Sequence, residues 1–365
     1  EQVGAHALPE QIEPIVAPFP MPQLVKPQFP AYNVNIAKMG AKVGQKKVTK
    51  IIQKAIDNVS NRGGGRVIIP AGIWNTSRIV LKSNVNLHLE EGAELHIGGE
   101  IEDYLPAVFT RVEGIEVMSS GGFIYAHKAK NIALTGKGKI VGPAMDAPVR
   151  TAKNAPGVVE EAIDPSSAVE TRIHDGHKGR YFYKPKSICL VECQDILIEG
   201  ITIERSVTWN VTPIYCDNVI IRGITVSSVN TPTGDGIDIE SSSNVLIEYS
   251  TLNNGDDCFT MKAGRDKDGI RVNRPTENIV VRYCLSEAGH GAITIGSETA
   301  GWIRNVYLHD CVFVGTDRGF RFKTRRPRGG GGENIYYERV LMNISRNDIE
   351  WDLLGSRTFV GKLAD

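Results

Sequence analysis

No apolar run in this 365-residue chain is long enough to cross a bilayer, so no membrane span is expected. Charge of one sign is not in excess either. Lys and Arg number 42 against 42 Asp and Glu, so any affinity for a polyanion must come from a local patch. Cysteine is scarce, with six residues and no Cys-x-x-Cys pair, which argues against a disulfide scaffold and against zinc. Helical periodicity is nearly absent, whereas 38 glycines and many Asn-containing turns point to β structure. The chain begins at Glu1 without Met or a signal peptide, which fits a processed or trimmed chain.

Seven of the 18 prolines fall in residues 1–30, which rules out regular helix or central strand there. This stretch reads as an extended arm on the surface of a single domain covering 31–365; a disordered leader is the alternative. One helix is expected between Lys46 and Ser60, where Val48, Ile51, Ile52, Ala55, Ile56 and Val59 make an apolar face.

What the chain has in abundance is a repeat. Asn or Asp followed by alternating aliphatics recurs at Asn84, Asn131, Asp195, Asn218, Asn244, Asn278, Asn305 and Asn334. From Asp195 onwards the spacings are 23, 26, 34, 27 and 29 residues. A short strand with one apolar face must stack on copies of itself, so the pattern predicts an all-β solenoid, a parallel β-helix of about three strands per coil. The Asn of each bend is expected to form a ladder whose amides satisfy neighbouring backbone groups. The helix suits a lid over the first coil. No second lid is visible before Asp365, so a shortened C-terminus is expected. Cys193 and Cys216, like Cys284 and Cys311, fall in register and read as stacked buried thiols. Two glycine clusters, 135–142 and 329–332, lack the helix or Lys-Ser/Thr of nucleotide loops and read as turns.

Four segments lie on successive coils: TGDGID (233–238), GDDCF (255–259), GHG (289–291) and RFK (321–323). Asp235 and Asp256 are about one coil apart, so their side chains are expected to face each other on adjacent rungs. Asp256 and Asp257 converge only if the backbone bends, with Gly255 placed to allow it. Arg321 and Lys323 share a strand face. Clustered carboxylates cannot all ionise, so one becomes a proton donor near neutral pH.

In order and spacing these segments resemble family 28 of the glycoside hydrolases, the polygalacturonases. The resemblance also covers roughly 31–95 and 184–203. It implies a right-handed parallel β-helix and an inverting hydrolase of galacturonic acid linkages in pectin. On that likeness Asp256 is the general acid, Asp235 and Asp257 hold and deprotonate the attacking water, and His290 orients or tunes the acid. Arg321 and Lys323 bind the substrate carboxylate. Inversion sits awkwardly with carboxylates one rung apart, a spacing nearer that of retaining enzymes. No cofactor or metal is implied; the partner is a pectic poly- or oligosaccharide, the location secreted or periplasmic, and the state a monomer.

The pattern is imperfect in two places. Asn230-Thr231 is followed by Pro-Thr-Gly before Asp235, and 347–355 lacks the tyrosine that many relatives carry. Taken singly, Asp-Asp reads as a solvated turn or calcium site, and a His between glycines as a turn residue. The cluster Arg318, Arg321, Lys323, Arg325, Arg326 and Arg328 lacks the aromatic interleaving of a nucleic-acid surface. A calcium-dependent pectate lyase and a non-catalytic binding coil are the competing classes. Finally, 64 residues separate Asn131 from Asp195, and 100–127 is also longer than one coil needs. Insertions of this kind leave a solenoid on one face. They are expected to close one end of the groove and favour attack on chain ends.

Overall fold

The computed structural model describes residues 2–152 and 162–354. Its organising element is a bend. All eight repeat residues, from Asn84 to Asn334, adopt left-handed backbone conformations, with φ between 55° and 66°. Asn and Asp tolerate this region where other side chains are disfavoured. Each bend turns the chain from one strand into the next. A typical coil runs Val211–Ile214, Asp217–Arg222 and Thr225–Ser228, and the next runs Ile237–Glu240, Ser243–Glu248 and Thr251–Asn254.

Equivalent strands pair in parallel, making a right-handed parallel β-helix. Register is held by aliphatic stacks inside it: Ile132, Ile196, Val219, Val245, Ile279, Val306 and Ile335 lie one above another. Slipping any strand by one residue would turn its aliphatics outward, so burial fixes the pairing.

The Asn ladder differs from expectation in most of its partners. Asn131 donates to the Gln28 backbone carbonyl at 2.9 Å, but from Asn218 onwards the amides bond one another: Asn218 donates to Asp195 at 3.1 Å, Asn244 to Asn218 at 3.3 Å, and Asn278 to Asn244 at 3.1 Å. Asn305 donates to Asn278 at 3.1 Å and Asn334 to Asn305 at 3.3 Å. One-rung spacing brings identical side chains within hydrogen-bond reach, and an amide both donates and accepts. Asp195 has no N–H to give, so it only accepts.

The helix spans Thr49–Asn61 and buries Ile52, Ala55, Ile56 and Val59 over the first coil. It starts three residues later than the apolar pattern suggests. Val48 N–H is tied to the Asn75 carbonyl at 2.8 Å, and Thr49 Oγ1 accepts from Ser77 N at 2.8 Å. At the opposite end, the last described coil leaves Leu341, Ile349, Trp351, Leu353 and Leu354 exposed. The expectation of a missing cap concerns residues 355–365, which lie outside the described residues.

Residues 2–30 run over outward-facing apolar residues of the ladder strands. Ile12, Ile15, Phe19, Leu24 and Phe29 cover Leu246, Val280, Tyr307, Leu197 and Ile220. Arg222 and Arg282, joined through buried Glu248, donate to the Pro9 and Glu13 carbonyls at 2.8 Å each. All six cysteines are buried free thiols.

Both long connections fold over one flank of the coil. Residues Val108–Val112 and Ile115–Ser119 form an antiparallel hairpin. Met118 N bonds the Arg172 carbonyl at 3.0 Å, and His174 N returns to the Met118 carbonyl at 2.8 Å. Ile115, Val117, Ile163 and Tyr183 form a separate small core. Residues 153–161 of the second connection are outside the described residues.

The ladder yields a stability test. Asn244→Ala should cost about 2–3 kcal/mol, combining left-handed strain with two lost hydrogen bonds. Asn244→Gly keeps the bend and should cost about half as much. Denaturant unfolding checks both; equal losses would show that left-handed strain is unimportant there.

Candidate active site

The site grows from the strand face opposite the aliphatic stacks. Along Ile237–Glu240, Ile237 and Ile239 point inward, so Asp238 and Glu240 point out. Stacking extends each outward position into a row. Asp238 is followed by Thr260, Thr294, Arg321 and Glu350. Glu240 pairs with Lys262, and Gly296 with Lys323 and then Asp352. Arg321 and Lys323 thus share a face, as the spacing predicts.

Asp235, Asp256, Asp257 and His290 lie at the entry to these strands. In strand register Asp235 is level with Asp257, one residue beyond Asp256, although the Asp256 charge still bears on Asp235. Gly236 N bonds the Asp257 carbonyl at 2.9 Å, and Ile237 pairs with Phe259, making this coil 22 residues rather than 21. Asp256 is instead level with His290, whose N–H bonds the Asp256 carbonyl at 2.8 Å. Gly255 is required for a different reason from a special backbone angle: a Cβ there would lie 2.0 Å from the Thr231 carbonyl oxygen. The glycines around His290 have the same logic. A Cβ on Gly291 would meet Asp257 Oδ1 at 2.7 Å, where Gly291 N–H now donates at 2.9 Å. A Cβ on Gly289 would meet Cys258 Sγ at 2.5 Å.

Electrostatics divide the three carboxyls. Burial and the neighbouring Asp257 push Asp256 up to about 6, although Lys323 and His290 oppose this. Burial alone would raise Asp257 too, but Lys323, Arg321, Lys262 and His290 outweigh it and hold Asp257 below the usual carboxylate range. Lys323 Nζ stands 3.6 Å from Asp257 Oδ2. Asp235 is driven well above that range by burial, then by Asp238, Asp256 and Asp257. Its buried partner Asp238 is raised to about 6 by burial. Asp238 Oδ1 accepts from Thr260, whereas Oδ2 has no donor among the described residues unless Asp235 carries a proton.

Sequence reading missed several residues here. Lys262 is buried and held charged, with Nζ 3.0 Å from Glu298 and 3.0 Å from the Gly296 carbonyl. The alternation in GIDIE and FTMK, with inward aliphatics separating outward polar groups, was the available signal for Asp238, Glu240 and Lys262. His290 lies between Asp317 and Arg318: Nδ1 is 3.2 Å from Asp317 Oδ2, and Arg318 Nη1 donates to Nε2 at 3.0 Å. Arg318 was visible in the sequence as part of the basic cluster, but its place beside His290, like that of Asp317, is set by strand register.

One rung nearer the N-terminus, Asn210 N bonds the Asp235 carbonyl at 2.9 Å. Beside it lies a cavity of about 180 Å³ lined by Trp209, Lys184, Lys186, Tyr183, Val112 and Glu113. Lys186 Nζ and Lys262 Nζ lie 5.6 and 5.1 Å from the Trp209 ring centroid. Val112 and Glu113 come from the hairpin and Tyr183 from the end of the second connection, so both long connections border this cavity.

The family model "Glycosyl hydrolases family 28" matches residues 173–353. A hyperthermoactive exopolygalacturonase from Thermotoga maritima superposes with a TM-score of 0.83 at 34% identity, over 90% of this chain and 77% of that one. A family 28 exopolygalacturonase from Yersinia enterocolitica gives 0.73 at 24% identity, over 89% of this chain and 62% of that one, a likeness of fold. A probable polygalacturonase of Vitis vinifera is 30% identical over 83% of this chain and 59% of its own length. An exo-poly-alpha-D-galacturonosidase of Dickeya chrysanthemi is 27% identical over 87% of this chain and 56% of its own length. The chain therefore spans less than two thirds of these curated relatives. With the fold, the ordered acidic and basic rows and these likenesses in agreement, the chain belongs to glycosyl hydrolase family 28.

Proposed function

We propose that this protein hydrolyses α-galacturonosidic linkages of pectin, outside the cytoplasm, by general acid and base catalysis. The observation that carries the reading is the split between two adjacent carboxyls. Asp256, raised to about 6, can give a proton to the glycosidic oxygen, while Asp257 beside it stays ionised. Asp257 is the base that takes a proton from water. Asp235, kept protonated, holds that water by hydrogen bonding rather than sharing the base role. Arg321 and Lys323 supply the cationic face for a uronate carboxylate. A water attacking opposite the departing oxygen gives inversion, so proton NMR of early digestion should show the β-anomer first; early α-anomer would establish retention.

Exo attack is part of the proposal. The Trp209 cavity lies one rung from Asp235 and is bordered by both long connections, which suits a single terminal sugar better than a continuing chain. The Thermotoga maritima and Dickeya chrysanthemi relatives carry exo-acting names, in agreement with this. Timed digestion of polygalacturonate should release monogalacturonate early while viscosity falls slowly. A rapid viscosity drop with mixed oligomers would refute the closed-end reading.

The acid assignment is tested by Asp256→Asn, which keeps shape and removes the proton. Turnover should fall at least about a hundredfold with ligand binding retained. Retention of a tenth of the activity would remove Asp256 from its role. For pH, Asp256 must be protonated and Asp257 ionised, so kcat/KM should decline as pH rises through about 6. A rate still rising between pH 6 and 8 would contradict the assignment.

A further inference from the structure

Arg318, Arg321 and Lys323 already have counterions. Arg318 Nε lies 2.5 Å, and Arg321 Nε 3.3 Å, from the same oxygen, Oε2 of Glu350. Arg321 Nη2 also approaches Asp352 Oδ2 at 4.0 Å, and Lys323 Nζ is 3.6 Å from Asp257 Oδ2. Register produces this arrangement, because Arg321 pairs directly with Glu350 and Lys323 with Asp352 in adjacent strands. Arg321 and Glu350 keep only 12% and 19% of their side-chain surfaces exposed, so solvent screens the pair only in part. Neither Nε contact is aligned as a hydrogen bond, which makes Glu350 an ionic neighbour and not a bidentate clamp. Three cations and three carboxylates thus balance before any acidic sugar arrives.

We infer that Glu350 is a resident counterion of Arg321 that sets how strongly, and how selectively, the site takes a uronate carboxylate. This rests on the hydrolase reading above. A free uronate reaching Arg321 brings a second anion beside Glu350, so it must displace Glu350 or share the guanidinium with it. A methyl-esterified or neutral sugar brings no such charge. Glu350 therefore weakens binding of the free acid specifically and narrows the preference for uronate over its ester. A purely structural role predicts the reverse: as a strut positioning Arg321, Glu350 would strengthen binding of the acid, and its loss would weaken it.

The two roles separate by sign. Asp256→Asn protein provides a non-hydrolysing background in which trigalacturonate and its fully methyl-esterified form are titrated by calorimetry. Adding Glu350→Gln, close in shape, should tighten trigalacturonate about tenfold, the effect of removing one partly screened charge. The ester should change by less than about twofold, because it lacks the repelled charge. Glu350→Asp in the same background retains the charge and should not tighten trigalacturonate. Unchanged or weaker trigalacturonate binding with Glu350→Gln, or equal tightening of the ester, overturns the inference. If the Asp256→Asn background binds neither ligand, the substrate reading falls, and this inference with it; if it binds both and only the Glu350→Gln result is wrong, the hydrolase reading stands alone.

Discussion

The architecture depends on a left-handed bend repeated once per coil. Asn or Asp adopts it at little steric cost, and the amides then bond along the stack. Because each bend returns the chain to the same angular position, residues 22 to 34 apart become neighbours about one strand spacing apart. Both the interior and the chemistry use that conversion of sequence distance into a short spatial step. Inside, it stacks aliphatic on aliphatic and leaves no room for register slip. Outside, it stacks acid on hydroxyl on base.

The outward rows of the site are consequently an electrostatic column. Packing at strand spacing limits how far like charges can separate, and burial raises the cost of ionising each carboxyl. Relief comes from Lys262 and Lys323, the cations of alternate positions in the same row. Asp257 receives enough of this field to be held below the usual carboxylate range, whereas burial and neighbouring Asp238 drive Asp235 well above it. Unequal ionisation among close carboxyls is what a hydrolytic acid and base pair needs. Here it follows from where the lysines sit in the stack.

The flank built by the two long connections has a different physical basis. Its small core around Ile115, Val117, Ile163 and Tyr183 is separate from the coil interior. Buried Arg172 binds Asp268 at 3.0 Å, joining the second connection to the helix Asp266–Val272 that leaves the coil beyond Asp257. The walls of the Trp209 cavity are thus fastened to the same coils that carry the carboxyls.

The repeat, the strand alternation, the lid helix and the ordered acidic, histidine and basic segments are legible in the residues alone. All are local signals: a bend residue, a period of two, an amphipathic face, a short motif. Gly255, Gly289 and Gly291 were visible as motif glycines, but their physical need was not, since each avoids an atom on a neighbouring coil. That Asp235 is level with Asp257, that Asp238 and Lys262 complete the charged column, and that Glu350 meets Arg321 emerges from the folded register. Those facts depend on coil length to the single residue: a 22-residue step and a 21-residue step carry the same local pattern but bring different side chains together. Local signals fix which way a side chain points, while long-range register fixes what it meets.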